Sequence, residues 1–232
     1  MIVTIDGPAG SGKSTAARKL AARLEIAYLD TGAMYRAIAL AALRSGIDLS
    51  DSDALWGVAH EARLALDCGP TFTRVRLDGH DVSEAIRSMA VSNATSFVAG
   101  HPAIRRFLVD EQRRIGRELG SFVSEGRDQG SVVFPQADVK VVLEAALDRR
   151  AQRRFQELAA DGEEVTLDEV AANLQKRDGA DSKQWEPLLK LPGVTVIDTT
   201  HMTIADVVER LTQIIEASGQ SGPDGIQSVS SV

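Results

Sequence analysis

The 232-residue chain is 44% hydrophobic and 25% charged, the profile of a soluble globular protein with room for one well-cored domain and inserted lobes. Its formal net charge of -7 argues against a broad nucleic-acid footprint, so anionic ligands need positive charge gathered at one focused site. No stretch is long and apolar enough to span a bilayer, and the single cysteine, Cys68, excludes an internal disulfide and a Cys-rich metal site.

Aromatics make up only 4%, so the core must be aliphatic. Ile2 to Asp6 is β-branched and reads as a buried strand, not a signal peptide, which makes the cytoplasm the simplest compartment. Lys13 to Leu24 spaces Ala16, Ala17, Leu20, Ala21 and Leu24 as a helix. A short strand from Ala27 and a helix from Ala33 to Leu43 follow. This βαβα opening predicts an α/β fold, a mostly parallel sheet with helices on both faces. The pattern breaks after Gly46. Asp51 to His60 reads as a helix, Arg63 to Asp67 and Thr73 to Asp78 as a hairpin, and Ser83 to Val98 as short helices. Residues 38–101 are therefore expected to form an inserted lobe. The parallel pattern resumes with a helix at Pro102 to Leu119, strands at 122–124 and 139–143, and a helix at Leu147 to Ala160. A helix to Lys176, a strand at 194–197 and a helix at Ile204 to Glu216 complete it. Residues 218–232 are rich in Ser and Gly and are expected to be a disordered tail.

One motif stands in the context it requires. Gly7, Pro8, Ala9, Gly10, Ser11, Gly12, Lys13 and Ser14, followed by Thr15, match G-x-x-x-x-G-K-[ST] between a strand and a helix. Glycines let successive backbone N–H groups turn toward phosphates, and the helix N-terminus adds a favourable dipole. Lys13 is the candidate for the β- and γ-phosphates and Ser14 for Mg²⁺ held with ATP. No Asn-Lys-x-Asp segment for guanine is present, and no apolar strand ending in Asp-Glu is evident.

A phosphate that accepts a phosphoryl group needs cations, because two anions must meet. Tyr28 to Arg36 follows the second strand, and Gly126, Arg127 and Asp128 follow the strand at 122–124, where open sheets place ligands. Arg149, Arg150, Arg153 and Arg154 pair four apart on one helix, a repulsive spacing that makes sense around an anion and otherwise reads as a solvated face. Arg177, Asp178 and Asp181 read as lying just after the next helix. Asp128 by itself reads equally as a cap or as a partner of Arg127. The four histidines are scattered, and Trp56 and Trp185 read as packing residues.

Together these segments resemble the bacterial cytidylate kinases. The resemblance rests on Ile5 to Thr15, Tyr28 to Arg36, Ser96 to Arg105, Glu125 to Pro135, Arg150 to Arg154 and Arg177 to Ser182, in family order from residue 1 to about 217. It implies a P-loop nucleoside monophosphate kinase that phosphorylates CMP and dCMP with ATP and Mg²⁺. The implied layout is a core of 1–37, 102–155 and 181–217, a monophosphate-binding lobe at 38–101 and a lid near 156–180. It implies that Ser96, Arg105 and Asp128 read cytosine, while Thr31, Arg36 and Arg127 hold the acceptor phosphate. Arg177 and Asp181 would reach the acceptor's phosphate and sugar, and Arg150, Arg153 and Arg154 would clamp the transferring group. A monomer with nucleotides as its only partners, and no nucleic acid or membrane, is the expectation.

Two other readings compete. One keeps the fold with another small phosphorylated or hydroxylated acceptor. The other is a nucleotide-dependent switch, against which the missing guanine motif and the arginine-rich second site count. The sequence departs from the family at Gln184, where the family's segment continues with an arginine; Lys183 stands beside it. Glutamine cannot fork onto phosphate with a charge. Gln184→Arg is therefore expected to lower the acceptor KM, and an unchanged KM removes the idea.

Overall fold

The computed structural model describes residues 1–160 and 162–219. Five parallel strands form the central sheet: β1 (Ile2–Asp6), β2 (Ala27–Asp30), β6 (Phe122–Glu125), β7 (Val139–Glu144) and β8 (Val194–Asp198). Their order is β2-β6-β1-β7-β8, with Val3 opposite both Val123 and Val139. Central parallel strands are covered on both faces, which suits the β-branched residues of β1.

Side-chain parity along these strands assigns the two faces. Val3, Ile5, Tyr28 and Val123 pack with α1 (Lys13–Leu24) and α8 (Ile204–Gly219). Ile2, Leu29 and Phe122 pack on the opposite face with α2 (Thr31–Ser45), α4 (Met89–Gly100) and α5 (Pro102–Leu119). The interrupting segment holds α3 (Ser52–Glu61) and an antiparallel sheet of β3 (Leu64–Cys68), β4 (Thr73–Leu77) and β5 (His80–Asp81). The expected hairpin is present, with Leu66 opposite Val75. Val75, Leu77 and Val91 join the same apolar cluster as Leu29 and Phe122, so the insert shares its core with one face of the main sheet. Residue 38, the expected start of the insert, lies inside α2. Cys68 is half-buried, and burial pushes its thiol up to about 11, as suits an inert packing residue.

Two helices differ from the sequence reading. The helix expected to stop at Lys176 runs on as α7 (Leu167–Trp185), so Arg177, Asp178 and Asp181 lie on it and not after it. Gly179 is a weak stop signal, and packing against α6 (Leu147–Ala160) overrides it. A 3-10 turn at Glu186–Lys190 then leads to β8. Between β6 and β7 the chain makes a single wide helical turn, Gln129–Val133, that no periodicity announces. Of the expected tail, residues 218 and 219 close α8 and the rest lies outside the described residues. Among the described residues no helix is long and apolar enough to cross a membrane.

Candidate active site

The sheet presents five carboxylates at the C-terminal ends of its strands: Asp6, Asp30, Glu125, Glu144 and Asp198. The crevice where the strand order reverses around β1 is where open α/β sheets hold ligands. The phosphate loop leaves β1 there. Gly7 takes φ 133°, and a Cβ at that position would lie 2.2 Å from the Leu143 carbonyl oxygen, so β7 itself demands glycine. Two side chains of the loop turn back onto it: Lys13 Nζ donates to Pro8 O at 2.6 Å and Ser11 Oγ donates to the same oxygen at 3.1 Å. No acidic residue occupies the first turn of α1, which leaves its positive end open to an anion.

Glu125 is a candidate site residue to which the sequence reading gave no role. It ends β6 beside β1, is buried, and accepts from Ser14 Oγ at 2.8 Å and Tyr28 Oη at 3.3 Å. Its backbone carbonyl accepts from Thr31 Oγ1 at 2.6 Å. Burial, reinforced by the Asp30 charge, raises its carboxyl pKa, and Lys13 opposes that rise. The available signal is a lone glutamate closing the strand Phe122–Glu125, without the Asp-Glu doublet. Ser14 Oγ and the Glu125 carboxylate supply hard oxygen donors, a chemistry that fits Mg²⁺, which takes few protein oxygens and completes its shell from phosphate and water.

On the other side of β6 the acceptor candidates gather. Asp30 caps α2 through Ala33 N at 2.9 Å and accepts from Arg36 Nη2 at 2.9 Å. Arg127 follows β6 directly, with a bond to Gly126 O at 3.2 Å. Asp128 is 5% exposed and forms an ion pair with Arg105 from α5. Tyr35 of α2 stands close enough to that carboxylate for its own phenol to be raised to about 12, mainly by burial. Ser96 is not part of this group: it is exposed on α4, and its hydroxyl donates to Asn93 O at 3.0 Å. Arg177 and Gln184 are half-buried on α7, and the Asp181 side chain lies outside the described residues.

The four arginines of α6 divide. Arg150 is buried; it forks onto Asp178 at 3.0 and 2.6 Å and also donates to the loop carbonyl of Ala9 at 3.0 Å. It thereby ties α7 to the phosphate loop. Arg153 turns to Thr199 and Met202 beyond β8, and Arg149 to Thr200. Burial and the neighbouring Arg149 charge lower the pKa of Arg153. Arg154 remains toward solvent with Glu157 at 3.0 Å. The repulsive spacing is thus relieved by different partners for each guanidinium. Beside the loop, Gly10, Gly12 and Thr15 share a cavity of about 210 Å³ with Arg153, Met202, Ile204 and Val207. A second depression of about 360 Å³, between Leu49 and His101, contains none of the predicted site residues.

Comparison with known proteins adds to this geometry. The family described as Cytidylate kinase matches residues 3–217. The cytidylate kinase of Solibacter usitatus is 44% identical over 97% of this chain and 96% of its own length. That of Caldanaerobacter subterraneus is 46% identical, over 92% and 93% respectively. The bifunctional pantoate ligase/cytidylate kinase of a Synechococcus strain is 46% identical over 94% of this chain, which spans only 42% of that longer protein. Among solved structures, an uncharacterised protein from Eubacterium ventriosum shares the fold, with a TM-score of 0.51, 12% identity and coverage of 94% of this chain and 98% of its own. The phosphate loop, the carboxylates around it and the arginines facing them are thus features of a chain that belongs to the cytidylate kinase family.

Proposed function

We propose that this chain transfers the γ-phosphoryl group of ATP to CMP and dCMP, forming CDP and dCDP. The observation that carries the reading is the position of two anion sites across the C-terminal ends of β1 and β6. One is the phosphate loop; the other is the Arg36, Arg127 and Arg105–Asp128 group. The relatives named cytidylate kinase support the same acceptor.

The acceptor phosphate is already anionic, so no general base is required. Lys13 exchanges the neutral Pro8 carbonyl for a phosphate oxygen, a charge-assisted and stronger bond. The α1 N-terminus and the loop amides neutralise the donor phosphates. Ser14, with Glu125 behind it, would hold the Mg²⁺ bound with ATP, which would supply neutralisation of the phosphate charge. The cavity beside Met202 and Val207 suits the apolar faces of the donor base. Thr31, Arg36 and Arg127 hold the acceptor phosphate in line, with Arg177 reaching the acceptor's phosphate and sugar. Asp128 accepts from the cytosine exocyclic amine, where uracil would turn a carbonyl toward the carboxylate. Ser96 reaches the base only if α4 moves toward it. Closure of α6 and α7 excludes water and exchanges Glu157 for a phosphoryl oxygen at Arg154.

The test is ADP release with ATP and a panel of nucleoside monophosphates. Turnover with CMP and dCMP far above the rest is expected, and hydrolysis indifferent to every monophosphate sinks the proposal. In the same assay Arg154→Ala is expected to lower kcat about tenfold or more while acceptor KM moves less than about twofold. Wild-type kinetics would put Arg154 outside the transfer.

A further inference from the structure

We propose that Asp6 is a positioning residue for the acceptor base, because its carboxylate holds the backbone of the turn that carries Arg127 and Asp128. The inference rests on the reading of Asp128 as the cytosine acceptor. Asp6 is fully buried at the end of β1, one residue before the phosphate loop. Its Oδ1 accepts from Gln129 N at 2.8 Å and its Oδ2 from Gly130 N at 2.9 Å. Both carboxylate oxygens are thus spent on the two amides that directly follow Asp128.

Other bonds hold the same turn: Val132 N and Val133 N reach Asp128 O at 2.8 and 3.1 Å. Gly126 N reaches Ile5 O at 3.1 Å, so the segment is fastened to β1 at both ends of the Arg127–Asp128 pair. The turn lies so close to β1 that a Cβ on Gly130 would stand 2.8 Å from Thr4 Oγ1. Gln129 is bonded sideways to Ser124 at 2.8 Å and Gln112 at 3.1 Å. These bonds hold the turn's own side chain; the fork from Asp6 holds the backbone that carries Asp128, whose carboxylate also pairs with Arg105.

The fork depends on protonation. Burial raises the Asp6 carboxyl to about 7 against the pull of the two amides. Asp128 in the turn adds repulsion and Lys13 on α1 opposes it. From β6 the neighbour is the uncharged Ser124; on β7, Lys140 borders Gly130, its Cγ 3.3 Å from the place of a Gly130 Cβ. An ionised carboxylate accepts both amides, whereas a neutral acid offers one good acceptor and a hydroxyl. Acceptor affinity is therefore expected to fall as pH drops through about 7. Stability runs the other way. A native pKa raised above the unfolded value means that Asp6 favours the fold most at low pH, and that this is lost as pH rises toward about 7. A purely structural role would move affinity and stability together.

The experiment compares wild type and Asp6→Asn in KM for CMP and for ATP from pH 5.5 to 8.5, with circular dichroism as the check of fold. The variant's amide can accept only one of the two N–H groups. Its KM for CMP is expected to rise about tenfold or more, its KM for ATP to stay within about twofold, and the inflection near pH 7 to disappear. The acceptor phosphate itself titrates near 6, so the inflection counts only as the difference between the two proteins. Equal CMP KM values and the same profile in both overturn the inference. A second measurement needs neither turnover nor a folded variant: in wild type, the Gln129 and Gly130 amide resonances should shift together with an inflection near pH 7. Flat resonances overturn the inference. Wild-type failure to use CMP defeats the kinase reading alone, since the amide titration still decides whether Asp6 governs the turn.

Discussion

Replacing Lys13 with methionine is expected to lower kcat by about 100- to 1,000-fold, the scale for losing one preorganised positive group at a developing charge. The structure explains why the effect should fall on chemistry and not on folding. Lys13 is buried and donates to Pro8 O. That carbonyl keeps Ser11 Oγ as a donor at 3.1 Å, and methionine fills the same channel. Two buried carboxylates, Asp6 and Glu125, lose the cation that lowers their pKa values, so both become more readily protonated. Single-turnover transfer and ATP binding should be measured separately. A drop in ATP affinity with unchanged transfer would place Lys13 in ground-state binding only.

The second large effect is on the choice of base. Asp128→Asn removes the carboxylate that suits the cytosine amine and offers an N–H₂ that suits the uracil carbonyl. The loss for CMP is about 1–3 kcal/mol, or roughly five- to 150-fold in kcat/KM. UMP should lose far less or gain, so the CMP-to-UMP ratio narrows by more than the CMP loss alone. Arg105 amplifies the change, because its half-buried guanidinium loses the charge that pairs with it. A ratio that stays at its wild-type value would move base recognition to other residues.

Much of the fold was readable because its signals are local. The Gly7 to Ser14 loop, the helix at Lys13–Leu24 and the helix at Pro102–Leu119 follow from turn chemistry, spacing and a helix-opening proline. The hairpin at 64–77 followed from alternation. The continuation of α7 past Gly179 was not readable, since packing on α6 and the Arg150–Asp178 fork act across the chain. Glu125 escaped for a similar reason. Its importance lies in β6 running beside β1, which brings residues 111 apart in sequence within a hydrogen bond.

The sequence by itself determined the donor loop, the alternation of strand and helix, and the family to which the chain belongs. Each is written in residues that are neighbours along the chain or in an ordered set of motifs. Only the tertiary structure decided which arginine meets which carboxylate. Four guanidiniums with the same helical spacing go to Asp178, Thr199, Thr200 and Glu157, and Arg105 reaches Asp128. It also decided that Asp6 grips the turn behind Asp128. Parity along β1 places the Asp6 side chain on the α5 face, while the packing of distant strands and turns sets what waits there to be bonded.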